Sequence, residues 1–452
     1  MLNTNSEYLR PEIMDVLRLF DKEEEEFTHY FSYSGGKFFN TIEYRSQFYD
    51  FEDAFNPADD LEFKRYAKRF AKLAFYKVLS QTSGITLPWG ALTGIRPTKL
   101  AWTELSAGRG YKELFTKLCV SEENINLTEK IIKTQEGLHD GGKSLYVSIP
   151  FCPTKCDYCS FITAPIDKTK QYVDNYIDCL VKEIESVKPI IGDIRSVYVG
   201  GGTPFVLSSE HLTRIYSAIN NVVNLPLEYT VEAGRPDVFS EEKLNTSRQF
   251  GVNRICVNPQ SFNDKTLEAI GRKHTAEQTI KAYEMAAKYG FDINIDLIAG
   301  LADERCADFE KSLDIAISLN PANITVHTLS LKAGAKLKEN IKRLHVEEIE
   351  QMIALSRKKL LAAGYVPYYL YRQKYQAGGL ENVGWSKPGK ACLYNIDVME
   401  ELGDNIAVGA NAISKRLFSA EERIERNATP KDIPTYISKI STIIPKRIEF
   451  FK

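Results

Sequence analysis

Short apolar runs alternate with longer segments of helical periodicity from Leu145 onward. Six of these runs have the length and the β-branched or aromatic composition of buried strands, and a helical pattern follows each of them. Such alternation is typical of a parallel sheet wound by crossover helices. The predicted strands cover residues 145–149, 196–200, 228–232, 254–258, 292–298 and 324–329.

Six strand–helix units are fewer than the eight of a closed barrel. We therefore predict an α/β fold, a partial TIM-like (β/α)6 barrel over residues 141–365. Before it, residues 1–140 combine a hairpin pattern with an amphipathic helix pattern over 61–79, which indicates an α+β extension. After it, aromatic and glycine-rich stretches precede a helical end, so we predict a mostly helical, substrate-side domain over residues 366–452.

The chain is nearly balanced in charge, with 58 basic and 60 acidic residues and a net charge of -2. The predicted helix over 61–79 has a basic face. This face is either a solvated surface or a docking face for an anionic partner. Nucleic-acid binders usually show a basic excess, so we predict no nucleic-acid partner. The basic residues of this face are Lys64, Arg65, Lys68, Arg69 and Lys72.

Length and apolar content restrict the class of protein further. A chain of 452 residues exceeds what one hydrophobic core usually serves, so we expect two or three domains. No apolar run approaches the roughly 18 residues of a membrane-spanning helix, and the first residues lack the pattern of a signal peptide. The sequence therefore predicts a cytoplasmic protein without a membrane span. Its eight cysteines are too sparse for a disulfide framework.

Three of these cysteines, Cys152, Cys156 and Cys159, lie close together directly after the first predicted strand. Three thiolates on one tight loop can each bind a different iron of a 4Fe-4S cubane and leave the fourth iron open to a small molecule. Reduced bystander thiols and a zinc site are the alternatives. Zinc would need a fourth ligand, and no histidine lies between His139 and His211, although a residue distant in sequence can be close in space.

Polar residues and glycines mark the ends of the other predicted strands. The glycine-rich turn 200–203 follows the second strand, and such a turn lets backbone amides approach an anionic or zwitterionic ligand, a plain turn being the alternative. Glu232, Gln260 and Asp296 lie at or near the ends of the next three strands. Because these ends share one mouth in a barrel, we predict one site for a ligand that carries an ammonium group and hydroxyls.

The chain resembles a known family in these segments, the oxygen-independent coproporphyrinogen III dehydrogenases (oxidases) of the radical S-adenosylmethionine (SAM) superfamily. The similar stretches are SLYVSIPFCPTKCDYCSF, VGGGTP, TVEAGRPD, GVNRICVNPQSFNDKTLEAIGRKHT and DINIDLIAGL. Two stretches outside the predicted barrel, LTGIRPTKL and LYRQKYQAGGLENVGW, resemble the HemZ-type branch, which has a long N-terminal extension.

By this resemblance, the three cysteines bind one 4Fe-4S cluster, and its open iron takes the methionine end of SAM. Gly201, Gly202 and Thr203 would cradle that end, and Gln260 and Asp296 would bind the ribose. A surface position is the alternative for Arg272. An unidentified electron donor of the flavodoxin or ferredoxin type would reduce the cluster. The positions that match SAM contacts are Tyr146, Tyr158, Gly201, Gly202, Thr203, Glu232, Gln260, Arg272 and Asp296.

The resemblance implies oxidative decarboxylation of two propionates of coproporphyrinogen III to vinyl groups, which gives protoporphyrinogen IX in haem biosynthesis. The cofactors supply a 5'-deoxyadenosyl radical, and the protein positions the tetrapyrrole substrate. A substrate with several carboxylates needs cationic partners, although each basic candidate can instead form a structural ion pair. The candidates are Arg96, Lys99, Arg235, Arg372 and Lys374.

Two departures from the family pattern bear on this function. Ser160 and Phe161 follow the third cysteine, whereas well-known members have a further cysteine two residues after it, and Ser148 stands where the family has a histidine. Relatives without the further cysteine include proteins regarded as haem chaperones. A haem-binding or haem-transfer protein is therefore the alternative function. Radical modification of RNA is a third hypothesis, which the balanced charge disfavours.

Overall fold

The computed structural model groups the chain into two compact units. The first is built mainly on Met1–Glu129, and the second mainly on Lys130–Tyr371 and Glu381–Lys452. The predicted domain boundaries near residues 140 and 365 stay predictions. The structure describes residues 1–94, 96–330, 345–373, 379–418 and 423–452.

The first unit contains a four-stranded sheet in the order β1-β2-β3-β4 and helices packed on it, so the predicted α+β extension is confirmed. The hairpin between β2 and β3 turns at Gly35 and Gly36, whose φ angles of 56° and 74° suit glycine. The elements are β1 (Leu2–Thr4), α1 (Arg10–Leu19), β2 (Phe27–Ser34), β3 (Lys37–Tyr44), β4 (Gln47–Ala54), α2 (Asp60–Ser83), α3 (Pro97–Ser106) and α4 (Tyr111–Lys117). Helix α5 (Glu122–Gln135) follows at the boundary between the units.

The basic face of α2 is partly neutralised within the first unit. Lys68 and Lys72 both contact the Glu12 carboxylate, at 3.0 and 3.4 Å. Arg69 lies 3.5 Å from Glu104. These ion pairs give three of the five basic side chains a structural role, in keeping with the solvated-face interpretation.

The second unit contains all six predicted barrel strands, paired in parallel in chain order. Val147, Val199, Val231 and Ile255 are in register on adjacent strands and fully buried, which forms the core between the sheet and its helices. The predicted partial barrel is therefore confirmed. The strands are β5 (Lys143–Ile149), β8 (Ile194–Gly201), β9 (Glu228–Gly234), β10 (Arg254–Gln260), β11 (Asp292–Ala299) and β12 (Asn323–Thr328).

Helices connect these strands, and a two-stranded ribbon forms beside the cysteine segment. The ribbon strands are β6 (Phe151–Cys152) and β7 (Ala164–Pro165). The helices are α6 (Ile166–Thr169), α7 (Val173–Ser186), α8 (Lys188–Ile191), α9 (Ser209–Val222), α10 (Glu241–Gln249), α11 (Asp264–Ala269), α12 (Ala276–Lys288), α13 (Cys306–Ser318) and α14 (Val346–Ala362).

The segment 366–452 is not mostly helical, which corrects the expectation for this part of the chain. Its described residues form two helices and five strands, and all five strands extend the barrel sheet at its two edges. An open barrel leaves unpaired backbone groups at both edges, and these strands pair with them. The elements are β13 (Val366–Tyr371), β14 (Asn382–Ser386), α15 (Leu393–Glu400), β15 (Asn405–Val408), β16 (Ile413–Phe418), β17 (Arg423–Ala428) and α16 (Ile433–Phe451).

In the parts of the chain that the structure describes, none of the helices combines the length and the apolar character needed to cross a bilayer.

Candidate active site

Polar and aromatic side chains fill the interior of the barrel. Near the start of the strands, Arg254 donates to Glu228 at 3.2 Å and to Asn294 at 2.9 Å. Near the middle of β5 and β8, Tyr146, in register with Tyr198, stacks on it with ring centroids 6.2 Å apart. The carboxyl ends of the strands lie beyond these two tyrosines, and the site of a barrel is expected at those ends.

The three cysteines lie on the loop that begins with β6, directly after β5. Cys156 is buried, Cys152 and Cys159 are partly buried, and all three thiols are free. Burial raises the pKa of the Cys152 and Cys159 thiols, and for Cys152 a hydrogen bond from Thr203 opposes this effect. Among the described residues, no three His, Cys, Asp or Glu side chains converge on a single metal ion. A cubane does not require that convergence, because each thiolate binds a different iron.

The turn after β8 approaches the cysteine loop so closely that only glycine fits. A Cβ on Gly202 would lie 2.4 Å from the Phe151 carbonyl oxygen and 3.0 Å from the Cys152 sulfur. The adjacent Thr203 hydroxyl donates to the same sulfur at 3.6 Å. The sequence therefore places a glycine where the strand end and the thiol loop are in contact.

The backbone amides of this turn are bonded within the protein, which corrects the expectation that they face a ligand. The amides of Gly202 and Thr203 each donate at 2.7 Å to carbonyls of the segment that leads into the cysteine loop. The Gly201 amide donates to Glu232 at 3.2 Å. The absence of side chains on the glycines thus lets the turn lie close to the cysteine loop. The amides of the turn fix it to the segment that leads into this loop and to Glu232.

Glu232 and Asp296 carry the acidic character of the barrel mouth. The Tyr198 hydroxyl donates to Glu232 at 2.6 Å, and burial, together with the charge of Asp296, raises the Glu232 pKa to about 7. Asp296 lies 3.9 Å from His327, whose other ring nitrogen is 3.2 Å from the Tyr371 hydroxyl. Two carboxyl groups with a histidine and tyrosines can bind a cationic group and hydroxyls.

Two buried acceptors at the end of β10 have no partner among the described residues. They are the side-chain oxygens of Asn258 and Gln260. Gln260 also has a φ of +70°, a conformation that non-glycine residues rarely adopt and that is often found at functional sites. Since buried acceptors are usually paired, these two oxygens are suited to a ligand that donates hydrogen bonds.

Arg272 is 7% exposed, so the alternative of a surface arginine is wrong. Its guanidinium donates to the Tyr158 hydroxyl at 2.8 Å and to the Asn258 carbonyl at 2.5 Å. Arg235 is 3% exposed and pairs with both carboxylate oxygens of Asp237, at 2.9 and 2.7 Å. Arg272 lies beside the cysteine loop through its contact with Tyr158, and Arg235 does so through a contact with Thr154.

Arg96, Lys99 and Arg372, which are also candidates for substrate carboxylates, belong to the first unit, whereas the cysteine loop belongs to the second. Arg372 is buried and donates to the carbonyls of Leu92 and Gly379. Arg96 and Lys99 lie at the start of α3, where each has interactions of its own. Lys374 lies outside the described residues.

The two departures from the family pattern have different surroundings. The Ser148 hydroxyl donates to the Ala410 carbonyl at 2.8 Å, so Ser148 fastens β5 to the segment after β15. Phe161 is 63% exposed. The serine therefore has a structural partner, and the phenylalanine presents an apolar surface next to the cysteine loop.

Sequence reasoning missed Tyr198 and His327 as site residues. Both lie on predicted strands: Tyr198 pairs in register with Tyr146, and His327 pairs with Ile298 beside Asp296. The two-residue alternation of the strands is the signal that would have found them, because it places both side chains on the same face as the residues already singled out.

Comparison with known proteins agrees with this geometry. The family model for the radical SAM superfamily matches residues 146–316. The oxygen-independent coproporphyrinogen-III oxidase-like protein HemZ of Bacillus subtilis is 36% identical over 410 residues, which cover 86% of this chain and 82% of HemZ. The chain belongs to the HemZ-type family of radical SAM proteins. Membership of the superfamily implies a 4Fe-4S cluster and SAM.

Two further relatives extend the comparison. The heme chaperone HemW of Bacillus subtilis is 33% identical over 251 residues, which cover 53% of this chain and 65% of HemW. The solved structure of coproporphyrinogen III oxidase (HemN) from Escherichia coli, a radical SAM enzyme, superposes with a TM-score of 0.55 at 21% identity and covers 68% of this chain and 72% of that one. The latter likeness shows that the fold is shared.

The residues present fit the two cofactors of the family. Three free thiols lie on one loop, and the glycine turn packs against the first of them without room for a side chain. Beside them, the unpaired oxygens of Asn258 and Gln260 are acceptors for hydroxyl or ammonium donors. Thiolates suit iron, and acceptors suit the polar parts of SAM.

Proposed function

We propose that this chain is an oxygen-independent coproporphyrinogen III dehydrogenase, a radical SAM enzyme that converts two propionates to vinyl groups and yields protoporphyrinogen IX in porphyrin and haem biosynthesis. The observation that carries the proposal is the convergence of the cysteine loop with Glu232, Gln260 and Asp296 at one barrel mouth. The chain also resembles a coproporphyrinogen-III oxidase-like relative over 86% of its length. We further propose that it acts in the cytoplasm and receives electrons from a flavodoxin or ferredoxin.

In this proposal, Cys152, Cys156 and Cys159 would hold the cluster, which together with SAM would supply the radical chemistry that the reaction needs. Glu232 would accept hydrogen bonds from the SAM ammonium group, and Tyr198 fixes the orientation of that carboxyl. The partly buried thiols and the buried acceptors keep water away from the reacting groups.

A haem-handling protein is the second candidate function, and two observations favour it. Phe161 follows the third cysteine where well-known decarboxylases have a further cysteine, and its exposed ring provides an apolar contact surface. HemW, a heme chaperone, is 33% identical to this chain over 251 residues. In this alternative the same mouth binds the cofactors, and the tetrapyrrole is bound or transferred without decarboxylation.

An anaerobic assay tests the two functions. The reconstituted protein is given dithionite, SAM and coproporphyrinogen III, and vinyl porphyrins and 5'-deoxyadenosine are followed by mass spectrometry. We expect a monovinyl intermediate and protoporphyrinogen IX from the wild type, neither from Cys156→Ala, and both from the control Cys119→Ala, whose thiol lies in the first unit. Formation of 5'-deoxyadenosine without porphyrin turnover would contradict the decarboxylase and favour haem handling, which haem binding by the same protein would then support.

A further inference from the structure

Two buried arginines contact the cysteine loop at the residues between its cysteines. Arg235 donates to the hydroxyl of Thr154, which lies between the first and second cysteines, at 2.5 Å. Arg272 donates to the hydroxyl of Tyr158, which lies between the second and third cysteines, at 2.8 Å. Each of the two intervals of the loop is therefore tied to a guanidinium on a neighbouring barrel segment.

The position of Arg235 is fixed by its other contacts. It follows β9 directly, and two of its nitrogens donate to the two oxygens of Asp237, at 2.9 and 2.7 Å. A bidentate pair of this kind fixes the plane of the guanidinium. With its third nitrogen on Thr154 and 3% of its surface exposed, Arg235 directs its donors into the protein.

Arg272 is held by backbone carbonyls and by an aromatic ring. One terminal nitrogen donates to the carbonyls of Asn258 and Pro259, at 2.5 and 3.4 Å, and the guanidinium carbon lies 5.9 Å from the centre of the Tyr158 ring. None of these acceptors, all in the described part of the chain, is a carboxylate. A buried cation without a counter-charge is costly, and the thiolates of a cluster would provide the negative charge.

His274 lies in the field of the same two arginines. The ring is 3% exposed, and neither nitrogen has a partner among the described residues. Burial lowers the pKa of His274 to about 3, and the charges of Arg272 and Arg235 add to this effect. The ring is therefore neutral, so His274 adds no positive charge to those of the two guanidiniums.

We propose that Arg235 and Arg272 form a clamp that orders the cysteine loop for cluster binding and balances the negative charge of the loaded cluster. Arg235 acts as a positioning residue and belongs to the cluster site, not to the substrate carboxylates. Arg272, whose position matches a SAM contact of the family, orders the loop as well. This inference rests on the 4Fe-4S cluster of the family and is independent of the decarboxylase activity, since it is tested without porphyrin.

The first test measures cluster retention in variants that remove hydrogen bonds of the clamp. After anaerobic reconstitution, iron loss to a chelator is timed for Thr154→Val, Tyr158→Phe and Arg235→Gln. A hydrogen bond to a charged group contributes enough free energy that we expect iron loss to be about tenfold faster in each of these variants than in the wild type. The control Tyr216→Phe removes a buried phenol that bonds Ser247 away from the loop, and it should retain iron as the wild type does.

Coupling separates a clamp from general destabilisation. The double variant with Arg235→Gln and Thr154→Val should lose iron no faster than Arg235→Gln alone, because both changes break the same bond. Thr154→Val keeps the arginine and its aspartate, so it remains informative if Arg235→Gln does not fold. Wild-type iron retention in Thr154→Val and Tyr158→Phe would overturn the clamp. Wild-type iron retention in Arg235→Gln would likewise contradict the assignment of Arg235 to the cluster site.

The charge of Arg272 is tested by redox titration followed by electron paramagnetic resonance. Removing a positive charge near the cluster disfavours the reduced state, so Arg272→Gln should lower the ratio of reduced to oxidised cluster about tenfold at a fixed potential, or about 59 mV for one electron. Arg272→Lys retains the charge and should recover most of this shift. An unchanged midpoint in Arg272→Gln would refute the charge-balancing role.

Discussion

Replacing Glu304 with glutamine should remove a pH dependence from the stability of the second unit. Glu304 lies between β11 and α13 and is 1% exposed. One of its oxygens accepts a hydrogen bond from Ser261 at 2.5 Å, and the other has no partner among the described residues. Ser261 directly follows Gln260, so this carboxyl supports the loop that carries a candidate SAM contact. Burial raises the Glu304 pKa from 4.5 to about 7.

The sign follows from proton binding. Between pH 4.5 and about 7 the folded state holds the Glu304 proton that the unfolded state releases, so the free energy of unfolding falls as pH rises through this range. Below it both states are protonated, and above it both are ionised. The rise in pKa corresponds to a loss of up to about 3.4 kcal/mol at pH 8. Glutamine keeps an acceptor for Ser261 and does not ionise.

Urea unfolding of the wild type and Glu304→Gln at several pH values from 5 to 8 measures this difference. We expect the free energy of unfolding of the variant to increase relative to that of the wild type as pH rises, by up to about 3.4 kcal/mol. Glu277→Gln is the control, because Glu277 is exposed and Lys281 lowers its pKa. If the free energies of unfolding of the wild type and Glu304→Gln change in parallel with pH, Glu304 is ionised in the folded protein over the whole range. That result would contradict the raised pKa of Glu304.

Two further substitutions test the packing around the barrel. Gly202→Ala would place a Cβ 2.4 Å from the Phe151 carbonyl oxygen. We therefore expect thermal unfolding to show a loss of about 1–3 kcal/mol in stability, and the variant to bind less iron. The control Gly110→Ala, whose Cβ would have no contact shorter than 3.8 Å, should change neither the stability nor the bound iron. Glu183→Gln would leave the buried Arg447 without its counter-charge and should cost about 3–5 kcal/mol, measured as earlier proteolytic release of α16; wild-type resistance would contradict it.

The barrel could be predicted because its strands are short runs rich in β-branched and other apolar residues, as in residues 145–149 and 292–298, and a helical pattern follows each of them. The strands of 366–452 could not, because they are short and join the barrel sheet through pairing with strands from much earlier in the chain, β14 with β12 and β15 with β5. Strand β15, for example, has four residues and pairs with β5, which lies more than 250 residues earlier. Local sequence carries little information about such edge pairing.

The site residues were predictable where the chemistry is local. The spacing of the three cysteines and the glycine turn identifies a cluster loop without any knowledge of the fold. The environment of Arg235 was not predictable in the same way, because Thr154, its partner, lies 81 residues away. The sequence therefore predicts a substrate contact for Arg235, whereas the structure places its donors on the cysteine loop and on Asp237.

The position of β15 has a consequence for biosynthesis. This strand lies beside β5, the strand that leads into the cysteine loop, and the Ser148 hydroxyl at the end of β5 donates to the Ala410 carbonyl. While the chain is still being translated, the cysteines emerge from the ribosome long before Ala410 does. Until then β5 lacks one of its two neighbours and the loop lacks part of its support. We therefore expect a cluster to reach its final geometry only after Ala410 has been synthesised.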